Sequence, residues 1–67
     1  MLDDTAISIF VRLDSALFGI RTAMTEAAQE DDESIINLLT DAQKKIEAAM
    51  DKCRDVVPFL SYSSINK

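Results

Sequence analysis

The side chains capable of chemistry sit in a few places. Glu30, Asp31, Asp32 and Glu33 form an unbroken run of four acids. Asp51 and Asp55 make a carboxylate pair one helical turn apart, Cys53 is the single thiol, and Phe18 stands beside Gly19, the single glycine. An acid run could hold a hard cation, a carboxylate pair could move protons, and a thiol could attack or oxidise. Each reading meets an obstacle. Hard cations take spaced oxygens, often around a glycine turn, whereas these four acids are consecutive. Proton transfer needs a pocket that excludes water, and Asp51 and Asp55 fall on an outer helical face. A reactive thiol needs exposure and a basic neighbour, whereas Cys53 falls on an apolar stripe. The chain has no His, no glycine-rich phosphate loop and no Ser or Cys with triad partners. The pattern points away from catalysis, cofactors and metals, and toward a protein that works by binding.

Whatever those residues do, a small scaffold must position them. The chain has 67 residues, which fits a single domain spanning 1–67. A chain this short buries only about 60% of its extended surface. Small domains gain stability from disulfides, metals or oligomerisation. One Cys and no His leave oligomerisation. Apolar residues make up 48% of the chain, too many for a disordered segment. No apolar run reaches the roughly 20 residues that cross a bilayer, and the first residues, with Asp3 and Asp4, are acidic where a signal peptide is basic. A cytoplasmic protein is expected. The net charge of −5 disfavours nucleic acid and anionic membranes as partners.

Two runs of apolar residues follow the alternating four-three spacing of a helix with a single seam. The first is Ala6, Phe10, Leu13, Leu17, Ile20, Met24 and Ala27; the second is Ile35, Leu39, Ala42, Ile46, Ala49, Cys53 and Val56. The fold class is therefore all-α: a helix over about 4–29, a turn over about 30–33, a second helix over about 34–57, and a non-helical tail over 58–67 after Pro58. Asp3 has the position of a cap for the first helix, with Leu2 and Ile7 at staple spacing. Asp31, Asp32 or Ser34 could cap the second. The plain reading of the acid run is thus a polar turn that charges a helix start. So short a connection makes the helices antiparallel, and the seams then match larger side chains with smaller ones.

Flanking the seam are Ile9, Ala16 and Ala23 on the first helix, and Ile36, Leu38, Met50 and Val57 on the second. A lone hairpin leaves such residues wet, and exposed apolar patches mark interfaces. These residues are the expected dimer interface, with two hairpins forming a four-helix bundle as a homodimer; a heterodimer is the rival.

Val11 and Phe18 lie seven residues apart, away from the seam, with Ile7 bordering the same stripe. Gly19 costs about 1 kcal/mol relative to Ala within a helix and would let another backbone come close. The plain alternative is a stray exposed aromatic beside a tolerated glycine. Phe59, Leu60 and Tyr62 make the tail too apolar to lie free. Their docking place is this chain, its mate or a target. Ile7, Val11, Phe18, Gly19, Phe59, Leu60 and Tyr62 are together the expected partner-binding residues.

The expected role is a non-enzymatic protein–protein interaction module. By analogy of architecture alone, it would be a small acidic inhibitor or anti-activator of a larger cytoplasmic protein, of the kind that phages and plasmids carry as accessory regulators. A chaperone or adaptor for a secreted or assembling subunit is the alternative. An RNA-binding regulator similar to the plasmid copy-control protein Rop is a third reading. Against it, the first helix offers only Arg12 and Arg21 where a polyanion calls for a basic stripe.

Overall fold

A computed structural model describes residues 2–58 and Leu60. Among these the chain forms two helices and no strand: α1, Asp3–Gln29, and α2, Glu33–Val56. Ala6, near the start of α1, shares a core cluster with Cys53, Val57 and Leu60 from the far end of the chain. The helices therefore pack as an antiparallel hairpin.

The turn explains the acid run. Asp31 has a φ of 55°, the single positive value among the described non-glycine residues. The backbone N–H of Asp32 donates to the Ala27 carbonyl at 3.1 Å, and that of Asp31 to the Ala28 carbonyl at 3.2 Å. This bonding closes a helix whose next residue is left-handed, a place glycine usually fills and a short polar side chain tolerates. Asp32 then opens α2: its Oδ1 accepts from the Ile35 N–H at 3.1 Å. Of the possible caps, Asp32 takes the position. Two consecutive acids thus end one helix and start the next.

Two terminal details depart from the sequence reading. Leu2 occupies the cap position of α1 with no side-chain cap bond, so Asp3 and Asp4 lie in the first turn. There their charges face the free amides without capping them. Leu2 is exposed, and Ile7 packs against the core cluster at the open end of the hairpin, so the two form no staple. At the end of α2, Val57 leaves the helix at φ −127°, ψ 85°, as the following proline requires. Its N–H still reaches the Cys53 carbonyl at 2.9 Å.

The seam of α1 follows its expected row, with Ala6, Leu17 and Ala27 buried and Phe10, Leu13, Ile20 and Met24 half-buried. On α2 the contact surface is turned by about one residue. Met50, Cys53 and Val57 are buried and Ile36, Leu39, Ala42, Gln43, Ile46 and Val56 half-buried, while Ile35 and Ala49 are exposed. Bulk favours the rotation at one level, where turning Met50 rather than Ala49 inward buries more apolar area. Met50 and Val57, expected at an interface with a second chain, are thus consumed within this one. Ile36 is partly consumed. Ile9, Ala16 and Leu38 are left exposed, and Ala23 is half-buried.

Candidate functional site

Val11 and Phe18 stand out on α1, 57% and 74% exposed. Their spacing places both on one stripe away from the seam, with Asp14 and Arg21 alongside. Arg21 Nη2 reaches Glu47 Oε2 across the hairpin at 3.8 Å. That pair edges a shallow groove of about 410 Å³ between the helices, floored by Leu17 and Met50 and rimmed by Asp14, Asp51 and Arg54. The groove is open and ringed by charges of both signs, with no enclosed space in which to shield a reaction. Among the described residues, no group of His, Cys, Asp or Glu is arranged to hold a metal ion. Among the same residues no helix is long and apolar enough to cross a membrane.

The expected partner-binding residues do not all come together. Val11 and Phe18 share a surface. Gly19, one residue on, is turned about 100° away around the helix; a Cβ built there meets nothing within 4 Å. Ile7 is half-buried against the core cluster. Leu60 is only 5% exposed, packed in the cluster with Ala6, Cys53 and Val57, and its N–H donates to the Val57 carbonyl at 3.1 Å. The tail at this point docks on its own chain, so Ile7 and Leu60 offer a partner little surface. Phe59 and Tyr62 lie outside the described residues. Exposed together on one stripe are Val11 and Phe18, edged by Asp14 and Arg21.

A second exposed group lies elsewhere. Ile35 is 46% and Leu38 67% exposed on α2, and Ile9 is exposed on α1. Sequence spacing put Ile35 on the seam and gave no hint of its exposure. Nor did it anticipate Arg54, whose guanidinium lies over the Phe10 ring and pairs with Asp51 Oδ1 at 2.8 Å. Cys53 is buried beneath, among apolar side chains, which makes it a packing residue.

Comparison with family models, curated proteins and solved structures finds no match.

Proposed function

We propose that this chain is a non-enzymatic binding protein, a small acidic inhibitor or anti-activator that occupies a surface of a larger cytoplasmic protein and works as a homodimeric four-helix bundle. The observation that supports it best is the exposed Val11 and Phe18 pair. An aromatic ring left 74% exposed on a helix, outside the hairpin contact, costs solubility and gains the hairpin nothing. Aromatic side chains are the commonest anchors where one protein seats in a pocket of another. Asp14 and Arg21 would supply the polar rim that surrounds such an anchor. Catalysis has less to rest on, since the groove is open, with Arg21 paired to Glu47 across it and Arg54 to Asp51 along α2.

The Rop-like alternative loses support from the same surface. Arg21, one of the two cations of α1, faces Glu47, and the net charge remains acidic.

The test is capture followed by reconstitution. Immobilised wild-type protein and a Phe18→Asp variant, both shown to be helical by circular dichroism, are challenged with lysate, and the retained proteins are identified. A purified target should then bind the wild type, with its own activity reduced, and bind the variant at least roughly tenfold more weakly. If the two forms retain the same proteins equally, the Phe18 patch is not the binding site and the reading fails.

A further inference from the structure

We infer that a second copy of this chain covers the broad face bearing Ile9, Ala16 and Ala23 of α1 and Ile35, Leu38 and Ala42 of α2, in an antiparallel arrangement that leaves each Phe18 outside. This rests on the dimeric reading above and adds to it a face, a direction and a stoichiometry.

Helical geometry divides the hairpin into two unlike faces. Successive residues advance 100° around a helix. The row Ile9, Ala16, Ala23 therefore lies to one side of the α1 contact, and the row Asp14, Arg21 to the other. Because α2 runs the opposite way, Ile35, Leu38 and Ala42 emerge on the same side as Ile9. Glu47, Asp51 and Arg54 emerge with Asp14 and Arg21, as their shared groove confirms. One face is ionic. The other is apolar across its middle, with Arg12 and Glu26 at one edge and Lys45 and Lys52 at the other.

The area suits a second copy. Two helices of 27 and 24 residues lie side by side, giving a face about 40 Å long and roughly 20 Å wide at 1.5 Å per residue and about 10 Å per helix. A face of that size can supply the roughly 800 Å² per partner of a standard interface.

Charge selects the direction. The turn end carries Glu26, Glu30, Asp31, Asp32 and Glu33 with no base, whereas the open end sets Asp3, Asp4, Asp51 and Asp55 against Arg12, Lys52 and Arg54. A parallel pairing would bring two acidic turns together. The antiparallel pairing sets each against a nearly balanced end. Side-chain size then selects the register. With the two-fold axis at Ala16, Ile9 meets Ala23 of the second copy, since both lie seven residues from the axis. Glu47 is level with Ala16 in the hairpin, and Leu38 and Val56 are equidistant from it, so Leu38 covers the half-buried Val56 of the second copy. Large meets small in each case. Both Phe18 rings stay on the outside, giving two equivalent target sites per dimer.

Solution mass by light scattering at micromolar concentration is the first measurement, on wild type, Leu38→Asp and Phe18→Asp. The wild type should weigh twice the chain. Leu38→Asp should weaken association by about a hundredfold, because a charge would be left unpaired in an apolar contact, and Phe18→Asp should leave the dimer intact. Leu38 is 67% exposed in the hairpin, so the substitution spares its internal packing. Loss of helix together with mass in Leu38→Asp alone supports the inference equally, since the hairpin would then depend on its mate. A monomeric wild type overturns the dimer itself. A dimer that survives Leu38→Asp overturns the face while leaving the dimeric reading in place.

Direction is read from nitroxide labels at Ser34→Cys in a Cys53→Ala background whose mass matches wild type. The antiparallel register puts the two labels about 40 Å apart, 13 residues either side of the axis at 1.5 Å each. A separation under roughly 20 Å, two helix diameters, would mean parallel hairpins.

Discussion

Arg54 lies over the ring of Phe10, its guanidinium carbon 5.1 Å from the ring centroid. The contact joins the last turn of α2 to the second turn of α1, at the end of the hairpin that has no connecting turn. Such contacts contribute about 0.5–2 kcal/mol, more when water is partly excluded, and the Arg54 side chain is only 26% exposed. The same guanidinium pairs with Asp51. Arg54 therefore clasps the open end of the hairpin, and of the two basic residues beside the thiol in sequence, Lys52 and Arg54, the latter is occupied with a ring.

A double-mutant cycle tests the clasp. Arg54→Ala and Phe10→Leu should each lower stability to urea, and together they should lower it less than the separate effects added. The expected coupling is about 0.5–1 kcal/mol. Additive losses would mean that the ring and the guanidinium do not interact in solution.

The turn makes two opposite demands on adjacent acids. Asp31 pays for a left-handed backbone that glycine adopts freely, so Asp31→Gly should raise stability, by about 0.5–1 kcal/mol after the entropy that glycine adds to the unfolded chain. Asp32 is a cap, so Asp32→Ala should lower stability by about 1 kcal/mol. Thermal unfolding of the two variants should move in opposite directions. Equal shifts would show that the acids act only as bulk charge.

The two helices and their antiparallel packing were legible because one row of apolar residues runs unbroken from Ala6 to Ala27 and another from Ile35 to Val56. The rotation of α2 was not. Ile35 and Ile36, like Val56 and Val57, are adjacent apolar residues, and a linear period cannot say which of two neighbouring rows turns inward. The choice is made in three dimensions, where burying Met50 rather than Ala49 gains apolar area. The exposure of Phe18 was legible because it falls off the seam. The burial of Leu60 depended on where the chain goes after Pro58, which spacing does not encode. The split between Asp31 and Asp32 turned on a single backbone angle, invisible in a run of like residues.

Gly19 offers a test that separates packing from binding. A methyl group placed there meets nothing within 4 Å, and Gly inside a helix costs about 1 kcal/mol relative to Ala. Gly19→Ala should therefore raise the melting temperature by roughly 4–8 °C. If the variant is more stable yet loses a purified target, the bare backbone is where that target approaches. If it is less stable, something already packs against Gly19 in solution, and the edge of the α1 surface is more crowded than the hairpin alone makes it.

Leu60 and Cys53 give the last prediction. Cys53 is buried under Leu60, Val57 and Ala6, so an alkylating reagent can reach the thiol only when this end of the hairpin opens. Alkylation of the folded protein should be slower than in urea, by at least roughly tenfold. Leu60→Ala removes part of the cover and leaves both helices intact, so it should speed alkylation of the folded state without changing the rate in urea. Cys53→Ser keeps the size but places a hydroxyl among apolar neighbours, at a cost of about 1–3 kcal/mol. An alkylation rate indifferent to Leu60→Ala would mean that Leu60 does not rest on its own chain in solution. It would then return to the pool of side chains open to a partner, beside Val11 and Phe18.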